Sequence, residues 1–399
     1  MRIILFTGKG GVGKTTAAAG TAAVAAARGR RTLVMSTDTA HSLADAFAVP
    51  IGSEPTPVAP DLYVQQVDPQ RRFEQSWSEV QQYLLSVLDA AGVDPITAEE
   101  LTVLPGAEEV LALLELRRQV VSGRWDVVVV DCAPTAETLR LLALPEALGW
   151  YMDRIFPVER RVVRALKPVL ARAAGVPMPH EAVFDAVERL HADLEQVHEI
   201  LTAKDTSVRL VLTPENVVVA EARRSLTTLS LFGYRVDGVV ANRVFPAEGA
   251  DAWRERWVRA QQSVLTTVEE SFVGLPVWRS AYQDSEPVGV AQLDAFARAA
   301  YGEDDPLAAP LGEEPLAVRR TAEGAVLRLS LPFAERGDVD LARHGDELVV
   351  TVGSYRRVLA LPAALRQHVV RGAKVDDGAL RIRFAAPAEP ARPAEEGGE

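Results

Sequence analysis

The sequence predicts an α/β fold: a mostly parallel sheet covered by helices, carrying a helical insertion and followed by a small all-β sandwich. Three observations carry this prediction. Short, continuously apolar runs alternate with stretches of helical composition, as buried parallel strands and their covering helices do. A glycine-rich loop joins the first apolar run to an alanine-dominated stretch of high helix propensity. Beyond an acidic, Pro/Gly-rich segment the runs become short, with turns at roughly 8–12-residue spacing, the pattern of an antiparallel sandwich.

Residues 2–7 are apolar enough for a buried strand, and the alanine-rich helix is expected from Thr15 to Arg28. Thr32–Ser36 reads as the second strand, with helical patterns at Arg71–Ala91 and Glu108–Val121. Trp125–Asp131 (WDVVVVD) is the clearest buried strand, and further strands are expected at Ser207–Thr213 and Val236–Asn242. From Leu148 to Asp205 the pattern is almost wholly helical and broken by prolines, which suggests an insertion on the sheet domain. The sheet domain is expected to span 1–302, with a linker at 303–315 (within GEDDPLAAPLGEEP), the β-sandwich at 316–386 and a disordered tail at 387–399.

Composition narrows the function. The chain has 399 residues, 43 basic against 55 acidic, for a net charge of −12, which argues against a domain held on nucleic acid or anionic lipid by charge alone. A single cysteine, Cys132, excludes an internal disulfide and is a poor start for a zinc or iron–sulfur site. The first apolar run leads straight into the glycine loop, so no signal peptide is expected and the chain reads as cytoplasmic.

Gly8-Lys9-Gly10-Gly11-Val12-Gly13-Lys14-Thr15 fits G-x-x-x-x-G-K-[ST]. Glycines let main-chain N–H groups close around phosphates, and a helix opening at Lys14 points its dipole at the anion. Lys14 is placed to reach the β- and γ-phosphates and the Thr15 hydroxyl to ligate Mg²⁺, so ATP and Mg²⁺ are the expected cofactors. Thr16, the last residue of GKGGVGKTT, joins Gly8, Gly10, Gly11, Val12, Gly13, Lys14 and Thr15 in the expected nucleotide-contacting set. Asp131 ends a strand at the sheet edge where ligands of parallel sheets bind. A carboxylate there can hold Mg²⁺ through a water or cap the next helix. Asp38, in Ser36-Thr37-Asp38-Thr39-Ala40-His41, can position an attacking water or equally cap the following helix.

GKGGVGKTT, STDTAHSLADAF and DCAPTAETLRLLALP resemble the P-loop, switch I and switch II segments of the ArsA-type ATPases, a family that includes the arsenite-pump and tail-anchored-protein-targeting ATPases. Residues 105–109, and Thr213-Pro214-Glu215 with Glu221 and Arg223, resemble family segments too. The resemblance covers roughly residues 1–300. It implies a P-loop NTPase fold, Asp38 as the water-activating residue, and Lys9 as a lysine that crosses a dimer interface to the partner's nucleotide. It also implies Asn242 as an adenine contact and Tyr282–Val288 as a loop around the base. One unit per chain implies a homodimer. The chain departs from the family where Cys132 stands for the usual threonine and Glu137 for the usual histidine. The cysteine clusters of the metalloid and zinc sites are missing, and only four methionines are present. Residues 315–386 resemble the small heat-shock (α-crystallin) domain.

Together these readings predict a homodimeric Mg-ATPase coupling hydrolysis to a hydrophobic client or membrane partner, with no nucleic acid. Leu166, Val169, Leu170, Val183, Phe184, Val187 and Leu190 could line a client groove or form an ordinary helical core. An anion- or metalloid-pump motor, a partitioning ATPase and an ATP-gated binder without turnover are the alternatives.

Overall fold

In the computed structural model, residues 1–38, 42–67, 107–133, 135, 138–139, 142–143, 181–310, 314–322 and 324–385 are described. The predicted helix at 71–91, residues 148–180 of the insertion, and the tail at 387–399 lie outside them. So do His41, Pro105 and Glu137.

The chain divides into two compact units, one of residues 1–225 with 234–312, the other of 226–233 with 313–399. In the first, strands β1 (Arg2–Thr7), β2 (Thr32–Ser36), β3 (Thr56–Ala59), β4 (Leu62–Gln66), β5 (Val127–Asp131), β6 (Thr206–Leu212), β7 (Val236–Val244) and β8 (Val277–Ala281) form one sheet. Its order is β3-β4-β2-β5-β1-β6-β7-β8. All neighbours are parallel except the β3/β4 pair at one edge. Every residue of β1, β2, β5 and β6 is buried, as expected of central strands covered on both faces. The predicted strands fall within a residue or two of the observed ones. The sequence reading missed β3, β4 and β8, which are short and mixed in polarity.

Helix α1 (Lys14–Ala27) follows the first strand. Eleven of its residues are buried, eight of them alanine or glycine, which lets the helix lie close to its surroundings. A Cβ on Gly20 would meet the Leu293 carbonyl oxygen at 2.7 Å. Helices α2 (Ser42–Phe47), α3 (Ala107–Val121), α4 (Glu181–Thr202), α5 (Asn216–Leu231), α6 (Ala252–Ser271) and α7 (Val290–Tyr301) complete the first unit's described helices, with the last turns of α5 grouped in the second. In α4 the residues Leu194, Val197 and Leu201 are buried at i, i+3, i+7, the inward stripe of an amphipathic helix.

At the opposite end of the strands from the glycine loop lies a buried ionic cluster. Asp237 on β7 accepts from Arg209 Nη2 at 2.7 Å and from Arg2 Nη2 at 2.6 Å. Ser207 Oγ donates to the same carboxylate at 2.7 Å. Arg209 also donates to Tyr301 Oη (3.0 Å) and to the Pro306 carbonyl (2.9 Å), and Tyr301 Oη lies 2.7 Å from Thr21 Oγ1 on α1. With Trp278 Nε1 donating to Asp304, residues 304–306 pack onto the sheet domain.

The second unit holds β9 (Leu316–Thr321), β10 (Gly324–Ser330), β11 (Val339–His344), β12 (Glu347–Val352), β13 (Tyr355–Ala360), helix α8 (Ala363–Arg366), β14 (Val369–Asp376) and β15 (Ala379–Ala385). Two antiparallel sheets result, β14-β15-β10-β9 and β11-β12-β13. Strict alternation in β10 buries Ala325, Leu327 and Leu329, and Leu348, Val350, Leu380, Ile382 and Phe384 add to the same core. The small all-β domain expected from the sequence is thus present.

Candidate nucleotide-binding site

Register brings the predicted site residues together. Phe6 of β1 and Ser36 of β2 both pair with Asp131 of β5, so the chain leaves the sheet at one level on three adjacent strands. Thr37 N donates to the Asp131 carbonyl at 3.0 Å and Cys132 N to the Phe6 carbonyl at 3.1 Å, which extends the ladder to the point of departure. Residues 8–15, Asp38 and Asp131 therefore share the carboxyl edge of a parallel sheet, the expected ligand edge.

The glycine loop is shaped by close approaches. A Cβ on Gly8 would lie 2.1 Å from the Val211 carbonyl oxygen of β6. Gly13 stands at φ 93° as the N-cap of α1, where a Cβ would lie 2.2 Å from Asn242 Nδ2. No side chain caps α1, so its first-turn amides are available to an anion. Val12 and Lys14 are buried, Thr15 and Thr16 half-buried, and Gly10 and Gly11 exposed. Lys14 Nζ is 3.5 Å from the Lys9 carbonyl oxygen, so the lysine folds back along the loop. Lys9 itself is half-buried, and its ammonium makes no ion pair among the described residues.

Thr15 Oγ1 donates to Asp131 Oδ2 at 2.8 Å. Asp131 is 1% exposed, and its other oxygen, Oδ1, is buried without a hydrogen-bond partner. Thr7 Oγ1, Thr37 Oγ1 and Thr135 Oγ1, at or just beyond the same strand ends, are likewise buried and unpartnered. Native proteins rarely leave such atoms unsatisfied, and a hydrated divalent cation with phosphate would satisfy them. The donor set of one hydroxyl and one carboxylate, all oxygen, suits Mg²⁺. Burial pushes the Asp131 carboxyl up to about 7; the Thr15 hydroxyl and the Lys14 ammonium oppose this, and the nearby Asp38 charge adds to it.

Asp38 is half-buried, and its main chain is held from two sides: Asp38 N donates to Ser36 Oγ (3.1 Å) and Gln66 Nε2 donates to the Asp38 carbonyl (2.7 Å). Ser36 and Gln66 were missed from sequence. The signal for Gln66 was a polar residue ending an unrecognised strand, Leu62–Gln66. Asn242 lies against the phosphate loop, its Nδ2 donating to the Val12 carbonyl at 2.8 Å while its Oδ1 accepts from Arg243 N at 2.9 Å. Tyr282 stacks on Phe245, with ring centroids 5.2 Å apart and planes 2° from parallel. Cys132 is buried, and burial, followed by the Asp131 charge, pushes its thiol pKa up. Among the described residues no helix is long and apolar enough to cross a membrane.

A glycine cradle between β1 and α1, with a strand-end carboxylate beside its threonine hydroxyl, defines the class of P-loop nucleoside triphosphatases. A family model described as an anion-transporting ATPase matches residues 1–302, and one described as an HSP20-like domain found in ArsA matches residues 322–384. A Chlorobaculum tepidum protein named an arsenical pump-driving ATPase is 40% identical over 388 residues, 96% of either chain. One from Aquifex aeolicus, named an arsenical pump-driving ATPase 1, is 35% identical over 393 residues, 96% of this chain and 99% of that protein. A Trypanosoma cruzi protein named an ATPase ASNA1 homolog is 29% identical over 325 residues, 74% of this chain and 89% of that one. The chain belongs to the anion-transporting (ArsA) ATPase family and is an ATPase carrying a C-terminal HSP20-like domain.

Proposed function

We propose that this ATPase works as a cytoplasmic homodimer that binds Mg-ATP at residues 8–16 and Asp131, hydrolyses it with Asp38, and couples hydrolysis to holding and releasing a hydrophobic client. The observation that carries the reading is the contact between Thr15 Oγ1 and Asp131 Oδ2, with Asp131 Oδ1 unpartnered and Asp38 two residues beyond the end of the adjoining strand. Thr15 and, through water, Asp131 would hold Mg²⁺. When bound, Mg²⁺ would neutralise negative charge on the triphosphate. The amides of Gly10 to Thr15 wrap the phosphates, and Lys14 turns from the Lys9 carbonyl to the β- and γ-oxygens. Asp38, its main chain fixed by Ser36 and Gln66, orients the attacking water and accepts its proton. Asn242 supports the loop at the base end. Lys9 offsets the charge growing on the β–γ bridge oxygen of the partner's nucleotide. Residues 148–205, including half-buried Leu190, form the client surface.

Mixing two inactive variants tests the core of this reading. Lys9→Ala and Asp38→Asn each lower single-turnover hydrolysis by on the order of 100-fold while still binding ATP. Random pairing then restores roughly a quarter of wild-type activity, because half the dimers carry one complete composite site. No restoration on mixing refutes a lysine acting across the interface, and full activity of Asp38→Asn refutes its role with water. Binding of an apolar peptide of about 20 residues that depends on ATP against ADP tests the client step.

The names of the relatives favour a second reading, a pump motor driven by a soft metalloid anion. The single cysteine, 1% exposed, supplies no thiol cluster for it. Stimulation of turnover by arsenite or antimonite would favour this second reading.

A further inference from the structure

Helix α6 presents a buried row of Gln261, Val264, Leu265 and Val268, at spacing i, i+3, i+4, i+7. Three of these are apolar, as a helix packed on a sheet requires, and the fourth is a primary amide only 7% exposed. Burying an amide without partners is costly, so its contacts identify its job. Gln261 Oε1 accepts from Phe245 N at 2.8 Å and Nε2 donates to the Arg243 carbonyl at 3.1 Å. Both ends of one side chain clamp the main chain of a single stretch, residues 243–245.

That stretch is irregular. The β7/β8 register shifts between Ala241 and Val244, and Arg243 stands at φ 58°, a left-handed conformation rare for a residue with a Cβ. Bulges of this kind re-aim a side chain. Here the re-aimed side chain is Asn242, whose amide spans from Arg243 N (2.9 Å) to the Val12 carbonyl (2.8 Å) and fills the space a Cβ on Gly13 would take. The contacts run unbroken from α6 through the bulge and Asn242 to the Val12–Gly13 peptide.

We propose that Gln261 is a positioning residue for the phosphate loop, acting through the bulge and Asn242; this rests on residues 8–15 being the phosphate cradle. A residue that merely closes the seam between α6 and the sheet would affect stability alone. One that sets the loop affects nucleotide affinity and does so only while Asn242 is present.

The test uses the full chain, with ATP and Mg²⁺ as the probe, and follows Kd and Tm together. Gln261→Met keeps the volume and removes both hydrogen bonds. It should weaken ATP about tenfold, equivalent to about 1.4 kcal/mol. Asn242→Ala should weaken ATP similarly, and the double variant no more than Asn242→Ala alone. Gln261→Glu supplies a second reading of the same atoms, because an ionised carboxylate cannot donate to the Arg243 carbonyl and a protonated one can. Its Kd relative to wild type should therefore fall back towards one as pH drops from 8 to 5. The proposal is overturned if Gln261→Met binds ATP within twofold of wild type, or if the losses from Gln261→Met and Asn242→Ala simply add. If Gln261→Met does not fold, a Kd ratio for Gln261→Glu that stays flat from pH 5 to 8 overturns it. Lys14→Ala separates the two levels: loss of binding there with none in the Gln261 variants refutes the positioning role alone. Unchanged binding in Lys14→Ala refutes the cradle, and the positioning role with it.

Discussion

Replacing Asp131 by asparagine should move stability and activity in opposite directions. The carboxyl titrates at 3.8 in its ordinary state and at about 7 in the fold, chiefly because it is buried. A pKa raised on folding contributes stability that is fully present below 3.8 and lost as pH rises through about 7. By pH 8 the loss approaches an upper bound of about 4 kcal/mol, at 1.36 kcal/mol for each tenfold change. The substituted amide keeps the shape, can donate to Thr15 Oγ1, and carries no charge into the buried site. If half the bound is recovered, about 2 kcal/mol, the melting temperature of the metal-free variant rises by roughly 3 °C at pH 8. At pH 4.5, where the wild-type carboxyl is protonated in the fold, the two proteins should melt close together. Added Mg-ATP should reverse the order at pH 8 by stabilising only the wild type, and turnover of the variant should fall on the order of 100-fold. The assay is thermal denaturation in chelator at both pH values, repeated with Mg-ATP. A variant that melts at or below the wild type at pH 8, or gains equally at pH 4.5, refutes the assignment of that burial cost to Asp131.

Gly13→Ala puts a Cβ where Asn242 Nδ2 stands and forces alanine to φ 93°; ATP affinity should drop more than tenfold by calorimetry, and a drop under twofold would contradict the geometry. Cys132, 1% exposed with its thiol pKa pushed up by burial, should resist N-ethylmaleimide at pH 8 in the native protein and react fully in denaturant; stoichiometric native labelling would be the contrary result. Asp237→Asn leaves two buried guanidiniums facing one another without a carboxylate, so denaturant unfolding should report a loss of about 3–5 kcal/mol, and a loss under about 1 kcal/mol would contradict it.

Much of the sheet domain was legible because its central strands are buried on both faces and carry uninterrupted apolar runs: VVVVD at 127–131 admits no other reading. β3, β4 and β8 were hidden because they lie at or next to the sheet edges and polar residues interrupt their short runs: Arg279 of β8 is exposed, and Gln65 of β4 is buried against the Ser53 carbonyl and Glu115. The clustering of the loop with Asp131 at the end of β5 and Asp38 just beyond β2 was legible because phosphate and cation chemistry admits few residue types at those places. The residues that hold them, Ser36, Gln66 and Gln261, were not. Each works through main-chain atoms brought near by the fold, and an amide or hydroxyl in a sequence carries no mark of which backbone group it will meet. Arg209 was passed over for a similar reason: within SVRLVL it resembles an exposed strand position, and only its pairing with Asp237 explains complete burial.

The lodging of α1 has a mechanical consequence. With eleven residues buried, Gly20 against the Leu293 main chain, and Thr21 joined through Tyr301 to Arg209, the helix has neither room to slide nor a free face on which to turn. A piston stroke along its axis would tear a hydrogen bond from a charge that has no water to replace it. The nucleotide therefore meets an anvil rather than a lever.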